Sequence, residues 1–271
     1  MFRIFGPPGT GKTTKLLNLV DKHLEAGVEP TNIAFLAFTR KAAEEARERA
    51  AARFNLDPKQ DLFFFKTLHS LALAMTDIRT DQVMQPEHYR ELGKSIGVNL
   101  GAAADNRFSD IPETQKSSDP ILGLINLAIL RKVPLRTQYN ISQIDESWNV
   151  VKYVDEALTK YKKSYTLYDF TDMLRVFAET GQSCCPRFAV TFLDEAQDLS
   201  PLQWDIAHML DRQSERMYCA GDDDQAIYRW AGADVDQFIG LEGGSETLSQ
   251  SYRVPQLPWE IAQNVARRIH R

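Results

Sequence analysis

The stretch Gly6-Pro7-Pro8-Gly9-Thr10-Gly11-Lys12-Thr13 fits the pattern G-x-x-x-x-G-K-[ST] at every fixed position. It constrains the fold because it works only between a strand and a helix N-terminus. Phe2-Arg3-Ile4-Phe5 before it reads as a short buried strand. Thr14 to Ala26 after it reads as a helix with Leu16, Leu17, Val20 and Leu24 on one face. Glycines let the backbone wrap a polyphosphate with its N–H groups turned inward. The helix N-terminus adds a dipole favourable to anions. In this pattern Gly9, Thr10, Gly11, Lys12, Thr13 and Thr14 form the phosphate cradle. Lys12 would reach the β- and γ-phosphates, and the Thr13 hydroxyl would take a magnesium site.

Further strand ends carry polar residues. Asn32 to Phe38 predicts a second buried strand, and Thr39, Arg40 and Lys41 lie at its C-terminal end, where open α/β sheets place ligands. The helix to about Phe54 reads in part as a solvated face with i,i+4 ion pairs. Asp61 to Lys66 predicts a third strand, with His69 just beyond it, either a ligand-side residue or a satisfied core histidine. Arg187 to Leu193 is an apolar run that delivers Asp194 and Glu195 at its end. Asp194 suits a magnesium ion, and Glu195 suits accepting a proton from attacking water. A further strand, Arg216 to Ala220, leads to Gln225, whose neutral amide can bond a γ-phosphate or water. Trp230 nearby reads either as a base-stacking aromatic or as a core residue. Glu246 to Ser249 reads as a strand before Tyr252 and Arg253, and Arg253 is a candidate arginine finger.

Between these strands, residues 76–164 read as a mostly helical insertion. It contains a polar loop from Asp105 to Asp119 and an amphipathic helix from Ile144 to Lys163. Lys160, Lys162 and Lys163 at that helix's end read as a solvated terminus or as phosphate contacts.

The 271 residues suffice for one large or two small domains, and 43% hydrophobic with 25% charged residues is ordinary for a globular protein. The formal net charge of −5 means that nucleic-acid binding must use a local patch. Cys184, Cys185 and Cys219 lack C-x-x-C spacing, which points to reduced thiols without structural zinc. No apolar run approaches the ~20 residues of a membrane span. The N-terminus enters the first strand at once, so neither a signal peptide nor a membrane partner is expected, and the location expected is cytoplasmic.

Taken in order, these motifs resemble superfamily 1 helicases of the UvrD/Rep/PcrA type. GPPGTGKT looks like their motif I, AFTRKAA like motif Ia and FKTLHSLAL like motif Ib. YDFTDML is similar to their acidic helix, LDEAQDLSPLQ to motif II, AGDDDQAIYRWAGA to motif III and LSQSYR to motif IV. The resemblance implies a RecA-like P-loop NTPase lobe, a parallel central sheet flanked by helices, built from residues 1–75 and 165–245. Residues 76–164 would be its helical insertion and 246–271 the start of a second motor lobe, missing in cis. ATP and Mg2+ are the implied cofactors, with single-stranded DNA and duplex junctions as partners. By position, Lys12, Thr13, Asp194 and Glu195 would hydrolyse ATP, with Gln225 sensing the γ-phosphate. Tyr252 would stack on adenine and Arg253 would be the first of two arginine fingers. Phe38, Thr39, Arg40, His69, Tyr228 and Trp230 would line the DNA track. The chain opens on a strand where the family carries an upstream glutamine-bearing segment, and Ala231 stands where the family's motif III has arginine. The expected activity is ATP-dependent translocation, 3′ to 5′ by resemblance, in repair or replication. The isolated 271 residues are expected to be monomeric and weakly active or inactive. Another P-loop NTPase, or a regulatory DNA-binding module without unwinding activity, are the alternative readings.

Overall fold

The computed structural model describes residues 1–101 and 119–266. Six strands form one sheet: β1 (Phe2–Phe5), β2 (Ile33–Ala37), β3 (Phe65–Thr67), β4 (Phe188–Leu193), β5 (Ser214–Gly221) and β6 (Ser245–Thr247). Their order is β3-β2-β4-β5-β1-β6, and every pairing is parallel. Parallel sheets are covered on both faces, so their strands read as near-continuous apolar runs. All five residues of β2 are buried.

On one face lie α1 (Lys12–Glu25) and α2 (Arg40–Phe54). Ala43, Ala46 and Ala50 let α2 approach closely over Phe35, Phe65, Val190 and Phe192. The other face is covered by α3 (Leu68–Met75), α8 (Phe170–Cys184) and α9 (Pro201–Arg212), around Phe177, Trp204 and Leu210. Between α3 and α8 the chain forms α4 (Pro86–Ile96), α5 (Pro120–Leu130), α6 (Leu135–Ile141) and α7 (Trp148–Tyr165). These helices share a core of their own, with Leu92, Leu122, Ile125, Val151, Val154 and Leu158 buried in it. The expected RecA-like sheet with a helical insertion is therefore present. After β5 come α10 (Val235–Gly240), β6 and α11 (Gln256–Ala266). No described helix is long and apolar enough to cross a membrane.

Several local expectations change. The third strand is limited to Phe65–Thr67. Asp57 accepts the N–H groups of Lys59 and Gln60, and Asp61 accepts that of Asp57, which closes a turn where the strand was expected to begin. Two arginines of α2 pair with the neighbouring helix. Arg49 and Arg53 reach Asp21, and Arg53 also reaches Glu25 at 2.8 Å, which ties α2 to α1. Lys162 is not a solvated helix end: it bonds Asp169 at 2.8 Å and Asp172 at 2.6 Å, both buried at the start of α8. Removing its ammonium would strand two buried carboxylates, so it is committed to the junction. The junction expected at 246 falls inside β6, which pairs with β1 through Arg3↔Ser245 and Phe5↔Thr247 and so belongs to this sheet. The polar loop from Asp105 lies outside the described residues except for Asp119. That residue caps α5 by accepting from Ile121 and Leu122 at 3.0 Å.

Candidate nucleotide-binding cleft

Strands β4, β5 and β1 are neighbours, so their C-terminal ends open onto one edge. The chain leaves β1 for β2 on one side and later passes β1 to form β6 on the other. The loop after β1 thus lies at a switch point, where open α/β sheets bind ligands. Gly9 and Gly11 have φ of 74° and 84°, a backbone conformation that side chains resist. A Cβ on Gly9 would also come within 2.4 Å of Arg253 Cβ. Gly11 caps α1 without any side chain, which leaves the first helical N–H groups facing the loop.

Lys12 is 8% exposed and its Nζ donates to the Gly6 carbonyl at 2.7 Å. Thr13 Oγ1 donates to Asp194 Oδ2 at 2.6 Å, joining the loop to the end of β4. Asp194 is 2% exposed, and burial with the nearby Glu195 charge pushes its pKa up to about 6. The Thr13 hydrogen bond and Lys12 act in the opposite direction. Two hard oxygen donors already side by side, one of them a carboxylate that burial makes eager for positive charge, fit a magnesium ion.

Glu195 is half-buried and takes φ 54°, the left-handed region, as the chain turns sharply off β4. Asp198, one 3-10 turn on, is pushed up to about 7 by burial and by Glu195. Gln225 does not extend across the cleft; its Nε2 bonds Asp222 Oδ2. The segment after β6 is strapped to the glycine loop. Tyr252 N donates to Gly9 O at 2.8 Å, and Ser251 Oγ to Pro8 O at 2.9 Å. This holds Tyr252, 77% exposed, and Arg253 over an open cleft of 810 Å³ whose other wall includes Thr10, Gly11, Thr14 and Asn18.

Of the residues expected on the nucleic-acid side, the structure pairs Phe38 with Tyr228 and sets Arg40 near His69. The Phe38 and Tyr228 rings stack at 6.1 Å with planes 27° apart. Trp230 is 62% exposed, so the core reading does not hold. Thr39 caps α2 by accepting from Ala42 N at 3.2 Å, and Arg40 opens that helix, exposed. Half-buried His69 has its pKa lowered to about 4 by burial and by Arg40. At neutral pH its imidazole is therefore uncharged and cannot serve as a phosphate-binding cation. Arg229, close to Ala231, pairs with Asp236 at 3.2 Å on the surface.

A family model for the UvrD/REP helicase N-terminal domain matches residues 2–243. The chain belongs to that family. "ATP-dependent DNA helicase PcrA" of Leuconostoc citreum is 27% identical over 93% of this chain and 35% of its own length. "Putative ATP-dependent DNA helicase YjcD" of Bacillus subtilis is 28% identical over 90% of this chain and 34% of its own. The chain thus spans about a third of the length of the curated relatives it matches. Among solved structures, VirB4 of Thermoanaerobacter pseudethanolicus overlaps 99% of this chain and 81% of its own at 12% identity, loosely, with a TM-score of 0.35.

Within this UvrD/REP-type lobe, sequence reasoning missed several residues. Arg131, after α5, donates to the Arg229 carbonyl at 2.8 Å and to buried Gln138 at 3.1 Å. It thereby latches the inserted helices to the turn bearing Trp230. Asp222 receives Gln225 and the Asp224 N–H, so it organises the end of β5. Gln197 was passed over between the acidic residues of its motif. An arginine at a helix end and a neutral amide have no period or charge pattern by which to be found.

Proposed function

We propose that this chain is the ATP-binding lobe of an ATP-dependent DNA helicase or translocase. Residues 1–75 with 165 to the end of β6 would form that lobe, and residues 76–164 an inserted subdomain. The observation that carries the reading is the Thr13–Asp194 contact of 2.6 Å, which joins phosphate loop and acidic strand end beside Glu195. The matched family and the helicase names of its relatives support it.

In this reading Lys12 exchanges the Gly6 carbonyl for phosphate oxygens, and the loop N–H groups hold the same anion. Thr13 and Asp194 would hold Mg2+, which when bound offsets charge on the phosphates. Glu195 accepts the proton of the attacking water. Gln225, released from Asp222, reports on the γ-phosphate, and Arg253 contributes a planar cation from above Gly9. Tyr252 lies against the base. Phe38, Thr39, Arg40, His69, Tyr228 and Trp230 grip single-stranded DNA, chiefly by stacking, which is blind to sequence and suits movement along a strand. Travel is 3′ to 5′, as the family resemblance implies.

The exposed Trp230 supplies the test. In the full-length protein, Trp230→Ala should cost about 1–3 kcal/mol of single-stranded DNA binding, the range for one stacked base. That raises the DNA concentration giving half-maximal ATP turnover by roughly 5- to 150-fold. The turnover rate at saturating DNA should stay within a few fold. An unchanged half-maximal concentration would remove Trp230 from the track.

A further inference from the structure

Gln197 is 2% exposed, and every polar atom of its carboxamide is engaged. Its Nε2 donates to Glu195 Oε2 at 2.9 Å and to Asp198 Oδ2 at 3.1 Å. Its Oε1 accepts the backbone N–H of Asp222 at 2.9 Å. The partners fix the orientation of the amide: a flip would set oxygen against two carboxylates and N–H against N–H. One planar group therefore spans from the end of β4 to the end of β5. Gly221 makes room for it, since a Cβ there would sit 2.7 Å from Gln197 Oε1. Among the described residues the Glu195 carboxylate has no other hydrogen bond. Beyond Asp222 the connection continues through Gln225 to the turn that carries Tyr228 and Trp230.

We propose that Gln197 is a positioning residue for ATP hydrolysis. It fixes the Glu195 carboxylate in one orientation and ties it to the Asp222 backbone, so the proposed base moves with the β5 turn. An unheld glutamate samples several rotamers, most of them unproductive, and holding it conserves that entropy for the reaction. The inference rests on the proposed role of Glu195.

Two variants of the full-length protein separate positioning from packing. Gln197→Glu keeps the size and an acceptor for the Asp222 N–H, but has no donor for Glu195 and adds like charge. Gln197→Met keeps the volume with neither function. Both should lower kcat of single-stranded-DNA-stimulated ATP turnover by about 10- to 100-fold, the scale of a slightly misplaced group. KM for ATP and the half-saturating DNA concentration should stay within about twofold, with the Glu variant at least as impaired as the Met variant. Three results would overturn the inference: kcat near wild type in both variants, a Glu variant close to wild type beside a poor Met variant, or losses that follow a raised KM and a lowered Tm. Absent turnover in the wild type would instead overturn the proposed function, and the inference with it.

Discussion

Glu195→Gln should reduce ATP turnover by about a thousandfold, within the range that general base catalysis contributes. The substitution keeps the shape of a half-buried side chain at the end of β4 but removes the carboxylate proposed to take the proton. Asp194 and Thr13 stay in place, so the oxygen pair proposed for the metal is intact. Binding of ATP and of single-stranded DNA should therefore survive with affinities within a few fold. A variant that binds both but does not turn over separates chemistry from assembly. Steady-state phosphate release with equilibrium binding of a fluorescent ATP analogue measures this. Undiminished turnover would exclude Glu195 as the base.

Lys12→Ala should fail earlier, at binding. Lys12 is the buried cation among several carboxylates: its charge acts to lower the pKa values of Asp194, Asp198 and Asp222, which burial raises. Without it a polyphosphate would meet those carboxylates with little positive charge to offset them. Hydrogen bonds to charged groups contribute about 1.5–3 kcal/mol each. Losing contacts to two phosphates should weaken ATP binding by roughly a hundredfold or more, with turnover falling at least as far. Titration calorimetry with ATP-Mg reads the first and phosphate release the second. ATP affinity within about threefold of wild type would contradict the placement of Lys12 on the phosphates.

The two variants draw on parts of the site that differ in how visible they are in sequence. The phosphate loop is legible because its chemistry needs glycines, lysine and threonine at fixed local spacing, and its flanking strand and helix follow from apolar period. Asp194 was found because an apolar strand ends on it. That Thr13 touches it, 181 positions away, follows from β1 and β4 each ending beside β5. Gln197 could not be found this way. Its importance lies in whom it touches, Asp222 at the end of another strand, and a neutral amide leaves no charge pattern. Lys162 misled for a related reason. At a helix end it looks like any solvated lysine until the turn into α8 brings Asp169 and Asp172 against it. The short β3 and the capture of β6 by the first sheet were decided by a local aspartate turn and by edge pairing with β1. Neither has a signal in apolar periodicity.

In the proposed function ATP chemistry and nucleic-acid contact meet at one strand end: β5 delivers Asp222, then Gln225, then the exposed Trp230. A site linked in this way should respond to DNA. The most direct measurement is ATP turnover by the wild-type full-length protein across a titration of single-stranded DNA. A rise of at least about tenfold at saturation is the predicted result, since correct placement of a catalytic group is worth that much or more. Turnover that is robust but indifferent to single-stranded DNA would contradict the account, leaving a nucleotide hydrolase without the DNA-coupled motor proposed for it.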